Sequence, residues 1–142
     1  MTGLYIHIPF CASRCIYCGF YSTTLPELQD KYVDALCREM ELRAALPDAD
    51  KHISTIYLGG GTPSQLTHDN LERLFLYIYK VYDVDPNAEI TMECNPDDVT
   101  PKLLCGLPVN RVSMGMQTFD NNRLKFLHRR HDASEEIGRA HV

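Results

Sequence analysis

The stretch "FCASRCIYCGF", residues 10–20, puts cysteines at 11, 15 and 18 directly after the strand-like run "LYIHI" (4–8). Three thiols are an odd number for a disulfide framework and one short of a closed zinc site. A strand that runs straight into such a loop places its ligands at a strand end. The fold is therefore decided by the elements that come after the loop.

Downstream of the loop the apolar pattern alternates between two periods. "PELQDKYVDALCREMELRAAL" (26–46) carries a helical stripe at Leu28, Tyr32, Leu36 and Met40, with Val33 and Cys37 beside it. Thr23 or Thr24 is placed to cap it, and Pro26 suits its first turn. "ISTIYL" (53–58) is rich in β-branched residues and reads as a strand, broken by "GGGTPSQ". Thr67 then caps a helix whose apolar face is Leu71, Leu74, Phe75, Ile78 and Tyr82. "AEITMEC" (88–94) is a third strand, "TPKLLCG" (100–106) a short helix with a Thr cap, and "RVSMGM" (111–116) a fourth strand. "DNNRLKFLHRRH" (120–131) opens with a capping Asp and reads as a helix. The order β-α-β-α-β-α-β-α implies an α/β protein with a parallel sheet and right-handed crossovers.

Composition adds boundaries. The 142 residues make one domain by length, and a net charge of −5 with scattered basic residues argues against a nucleic-acid surface. No apolar run approaches the roughly 20 residues of a spanning helix. "MTGLYIHIPF" lacks a basic n-region and a cleavage site. A cytoplasmic, reducing location is the default expectation, and there clustered cysteines bind metal or do chemistry more often than they form bridges. The dispersed Cys37, Cys94 and Cys105 read as small buried apolar residues.

Each expected strand ends in chemically able residues. The first runs into Cys11, the second into Gly59–Thr62, the third into Glu93 and Asn95, the fourth into Gln117. In parallel α/β folds the carboxyl ends of the strands share one rim, and ligands bind there. C-x3-C-x2-C is a soft thiolate set that suits an iron–sulfur cluster or zinc; non-metal thiols are the remaining reading. Structural zinc wants four ligands, and the chain has no second C-x2-C pair. Three cysteines on a cubane leave one iron open to a substrate or cofactor. The glycine run lets backbone approach a ligand closely, although a plain strand-to-helix turn needs glycine too. A phosphate-binding loop is excluded, since the run is not continued by Gly-Lys-Ser/Thr.

The triplet at the end of a first strand resembles the radical S-adenosylmethionine (SAM) superfamily. "YIHIPFCASRCIYCGFYS", "GGGTPS", "MECNPDDVT" and "NRVSMGMQTFDNNRLKFLHRRH" resemble, more narrowly, the oxygen-independent coproporphyrinogen III oxidase family and its haem-chaperone (HemW) branch. The resemblance runs from Tyr5 to about Asp132. It implies a partial (β/α) barrel with about four of six βα units. It implies a 4Fe–4S cluster held by Cys11, Cys15 and Cys18, and SAM bordered by Tyr5, Tyr17, Gly60, Gly61, Thr62, Glu93, Gln117 and Arg129. Blander readings stand beside these. Tyr5 also suits a core strand, Arg130 and His131 a solvated helix end, and His7 a hydrogen-bonded core histidine rather than a haem ligand.

The resemblance implies one of two functions: a haem chaperone that binds SAM and haem and delivers haem to apo-haem proteins, or an oxidase that decarboxylates porphyrinogen propionates to vinyls. Both imply a flavodoxin- or ferredoxin-type reductant. The oxidases carry an extra cysteine two residues past the last ligand, where this chain has Phe20, which favours the chaperone branch. A zinc-stabilised interaction module fits the triplet but leaves the other strand ends unexplained. The core domain is expected over residues 1–135. "EEIGRAHV" resembles a translated sequencing adapter, so 136–142 read as a non-native tail and the chain as an N-terminal piece, poorly stable and inactive alone.

Overall fold

The structure is a computed structural model that describes residues 2–134. The proposed tail at 136–142 lies outside the described residues. Four strands form one parallel sheet in the order of the chain: β1 (Thr2–Ile8), β2 (His52–Gly60), β3 (Asp83–Cys94) and β4 (Arg111–Met114). The helices between and after them are α1 (Gln29–Ala44), α2 (His68–Val81), α3 (Pro101–Leu104) and α4 (Asn121–Phe126). The α/β alternation expected from the apolar periods is the observed one.

Period-two patterning decides which face is covered. Ile6, Ile8, Ile56, Leu58, Ile90 and Met92 point one way and join Val33, Met40, Leu71, Leu74 and Ile78 of α1 and α2 in a single core. The alternate residues, Tyr5, His7, Tyr57 and Glu93, stand on the other face. Tyr5 is 58% exposed there, so it is not the core strand residue that its β-propensity allows.

Helix α1 is rotated by one residue from the expected stripe. Its buried positions are Gln29, Val33, Cys37, Met40 and Ala44, while Tyr32 and Leu36 flank the core and Leu28 is exposed. The cause is polar. Gln29 is buried because its amide donates to Gln65 O (2.7 Å) and accepts from Thr67 N (3.2 Å), and the Tyr32 hydroxyl donates to His7 O (2.7 Å). Those three bonds set the helix azimuth more firmly than one more leucine could. Thr23 and Thr24 do not cap α1, which has no side-chain cap. Thr67, Thr100 and Asp120 cap α2, α3 and α4 as expected.

Two boundaries differ most from expectation. Strand β3 starts at Asp83, five residues early, because Val84 pairs with Ile53 before a register shift. Pro86 lies in the shifted segment, where it has no N–H to give a ladder. Helix α4 stops at Phe126, since His128 takes φ +58°. Cys37 and Cys94 are buried as expected, but Cys105 is exposed, just after a one-turn helix too short to cover it.

His52, at the start of β2, bonds Asp83 at the start of β3 (2.9 Å), with Asp85 at 3.9 Å. The hydrogen bond to Asp83 holds the imidazole above its ordinary 6.5. A raised folded-state value means that the contribution is full below about 6.5 and is lost as pH rises through the folded-state value. Both partners are exposed, so the effect is small. Asp83→Asn is expected to lower the urea midpoint at pH 5.5 and to leave it nearly unchanged at pH 8.5; an equal shift at both would contradict the linkage.

Candidate functional site

The parallel register brings the strand ends to one level. His7 lies beside Gly59, Ile8 beside Gly60, and Cys94 beside Met114. Beyond that level the cysteine loop is closed at its base. Thr23 N donates to Pro9 O (2.7 Å), Cys11 N donates to Thr23 O (2.9 Å), and Phe10 bridges Thr23. Thr23, expected as a helix cap, is used here instead. Within the loop, Cys18 N donates to Cys15 O (3.1 Å), and Arg14 donates to Ser22 O.

The loop is stitched to the end of β2 by two more bonds, Gly61 N to Ile8 O and Thr62 N to Phe10 O, both 2.8 Å. These bonds explain the glycines. A Cβ on Gly61 would lie 2.9 Å from Pro9 C and 3.0 Å from both Ile8 O and Phe10 O. Gly60 has φ +116°, and a Cβ there would lie 2.5 Å from the His7 ring. The glycine run is therefore demanded by packing within the protein, whatever ligand its carbonyls also meet. It leaves Thr62 Oγ1 3.6 Å from Cys11 Sγ.

A cavity of about 240 Å³ opens at this rim. Cys11, Cys15, Cys18, Tyr17, Gly60, Gly61, Thr62, Glu93, Gln117 and Arg129 all line it. Of the residues singled out in the sequence, Tyr5 does not. It sits lower on the sheet, stacked on Tyr57 (6.1 Å between centroids) and within 3.2 Å of His7 Nδ1. His7 also meets Tyr21 O at 3.1 Å and is half-buried, so it is hydrogen-bonded as expected but not in the core.

Glu93 is occupied on both oxygens. Tyr57 donates to Oε1 (2.6 Å) and Gly60 N to Oε2 (3.1 Å). Each oxygen keeps a further lone pair for a ligand. The bond to Glu93, with burial behind it, pushes the Tyr57 phenol up. Sequence reading missed Tyr57, although period two places it on the face of Tyr5 and His7. Asn95 was visible at a strand end but not carried forward. It accepts from Arg129 Nη2 (3.1 Å), which also donates to Gly115 O. Arg129 Nη1 points at Cys15 Sγ (3.6 Å), and its Nε is buried with no partner. Tyr17 is raised by burial, then by its hydrogen bond to Cys15, against the opposing pull of Arg129.

Two further residues depart from expectation. Arg130 and His131 are not a solvated helix end, because α4 has already stopped. His131 is 4% exposed, and Arg130 pairs with Asp97 and Asp98. Cys94 also lines the cavity, but burial, then Asp98, pushes its thiol up to about 12, which keeps it neutral and unlike a ligand thiolate. Among the described residues no trio of His, Cys, Asp or Glu is gathered closely enough to hold a single metal ion. No described helix is long and apolar enough to cross a membrane.

Comparison with known proteins agrees on one family. The Radical SAM superfamily matches residues 5–139. The heme chaperone HemW of Synechocystis sp. is 38% identical over 96% of this chain and 35% of that protein. The oxygen-independent coproporphyrinogen III oxidase of Salmonella typhimurium is 36% identical over 92% of this chain and 29% of that protein. The structure of coproporphyrinogen III oxidase (HemN) from Escherichia coli, a radical SAM enzyme, superposes with a TM-score of 0.86 at 33% identity, over 96% of this chain and 32% of that one. The chain thus spans about a third of the length of the relatives it matches.

The glycine stitch gives a direct test. Every atom that an alanine at 61 would strike is backbone, so no side chain can yield. Gly61→Ala is expected to cost ~1–3 kcal/mol, the usual range for overpacking, and to displace the cysteine loop. Urea unfolding measures the loss; an unchanged midpoint would refute the packing argument.

Proposed function

We propose a function from the premise that the chain belongs to the radical SAM superfamily: it is the cofactor-binding part of a HemW-like haem chaperone. The observation that carries this is the single cavity shared by Cys11, Cys15, Cys18 and the ends of β2, β3 and β4. The superfamily implies a 4Fe–4S cluster and SAM, and the residues present fit both. The donor set is three soft thiols on the wall of one cavity, and the buried Arg129 Nε is a donor still in want of an acceptor. Bound there, cluster and SAM supply one-electron cleavage of the sulfonium.

The chain's own residues divide the remaining work. Cys11, Cys15 and Cys18 hold the cluster. Gly60, Gly61 and Thr62 offer backbone and hydroxyl groups to the SAM ammonium, and Glu93 accepts from an ammonium or ribose hydroxyl with its free lone pairs. Arg129 donates to the SAM carboxylate in a charge-assisted bond. Gln117, at φ +69°, closes the far side, and the Tyr17 ring packs on the adenine. Tyr5 acts at one remove, through His7 and Tyr57, against the packing under Gly60.

Haem is the cargo in this reading, and apo-haem proteins are the recipients. A flavodoxin- or ferredoxin-type protein is the electron source. Phe20 supports the chaperone branch. It lines the cavity and is 69% exposed, where the oxidases resemble a cysteine-bearing loop. The oxidase reading keeps support from the likeness to the Escherichia coli enzyme.

Anaerobic reconstitution with iron and sulfide separates the readings. The chaperone reading expects iron and sulfide uptake, SAM-dependent change in the cluster spectrum, and haem binding without coproporphyrinogen consumption. Coproporphyrinogen turnover would transfer the assignment to the oxidase, and zinc without sulfide would replace both with an interaction module.

A further inference from the structure

Arg129 and Arg130 are adjacent, and both line the cavity with different partners. The chain leaves α4 through the left-handed His128. Arg129 enters the cavity beside Cys15. Arg130 reaches the loop after β3 and pairs with Asp97 Oδ2 and Asp98 Oδ1, each at 2.9 Å. Those carboxylates are only 16% and 11% exposed, the least exposed acids in any ion pair among the described residues. The others are surface pairs of the kind that contribute little.

The pairing belongs to a closed circuit. Ser64 Oγ, in the turn after the glycines, donates to Asp98 Oδ2 (2.8 Å) and accepts from Asn95 N (3.2 Å). Asn95 Oδ1 accepts from Arg129 Nη2. The circuit runs Arg130, Asp98, Ser64, Asn95, Arg129, and returns through the peptide bond between the two arginines. It ties the glycine turn, the end of β3 and the segment after α4 into one unit. With Nη2 held by Asn95 and Gly115 O, the guanidinium keeps Nε and Nη1 for the cavity.

We infer that Arg130 is a positioning residue: clamped between Asp97 and Asp98, it fixes the loop after β3 and so orients Arg129 toward the carboxylate of SAM beside Cys15. The inference rests on the SAM-binding reading above. A long arginine left free samples many rotamers, and ordering it on binding weakens affinity. Without Arg130, Asp97 and Asp98 would lose the guanidinium they pair with while largely out of water, and the loop that carries Asn95 would open.

The test is calorimetric titration of the anaerobically reconstituted chain with SAM, beside iron and sulfide analysis. Arg130→Gln is expected to weaken SAM binding about tenfold or more with unchanged iron and sulfide content. Arg130→Lys, which keeps the charge but not the planar fork, is expected to recover part of the loss. Arg73→Gln, which breaks the exposed pair with Asp34, is expected to bind like the wild type. If Arg130→Gln binds SAM as tightly as the wild type, the inference fails alone. If it loses iron and sulfide as well, Arg130 supports the whole loop and the positioning role is overturned. If the wild-type chain itself takes up no SAM, the functional reading fails and this inference with it.

Discussion

The arrangement depends on one close approach: the backbone of Gly61 and Thr62 lying against the backbone of Ile8 to Phe10. Two hydrogen bonds of 2.8 Å hold it, and only a residue without Cβ fits between them. Because β1 runs directly into Cys11, that contact fixes the root of the cysteine loop relative to β2. Parallel pairing then carries the same level across to Glu93, Ser113 and Gly115. Position is therefore set by register, and register by the alternation of apolar residues toward α1 and α2.

The charge distribution at the rim is asymmetric. Arg14, Arg129 and Arg130 all line the cavity, and Glu93 and Asp97 are its acids. Glu93 is engaged on both oxygens by Tyr57 and Gly60, and Asp97 pairs with Arg130 through Oδ2 while its buried Oδ1 has no partner. Among the described residues Arg129 carries a buried N–H, at Nε, that has no partner. Its Nη1 lies 3.6 Å from Cys15 Sγ, so an anion that pairs with this arginine sits beside a thiol.

The sequence made the sheet, the caps at Thr67, Thr100 and Asp120, and most of the rim legible, because each rests on local rules: period, cap chemistry, strand-end placement. What it hid was tertiary. The rotation of α1 comes from Gln29 and Tyr32 finding partners far along the chain. The early stop of α4 comes from His128 turning left-handed, a conformation that a histidine takes only in context. The glycines were legible as a backbone approach, but not that the approaching group is β1 itself. Asn95, Tyr57 and the Arg130 pairs could not be ranked, since a strand-end amide, a strand tyrosine and two aspartates look ordinary until the fold assembles them. The iron–sulfur expectation was already legible in the spacing of the three thiols, whereas SAM and haem came only from resemblance to a family.

Thr23 is bonded to Pro9 and to Cys11, so residues 10 to 23 behave as a macrocycle closed by backbone rather than by a covalent link. Ring closure restricts how far the three sulfurs can wander before any metal arrives. In the cluster-binding reading proposed above, part of the entropy of gathering the three sulfurs is met when the sheet folds. Iron uptake would then obey chelate-like chemistry, with the ring as a template whose clasp at Thr23 is fastened without help from any sulfur.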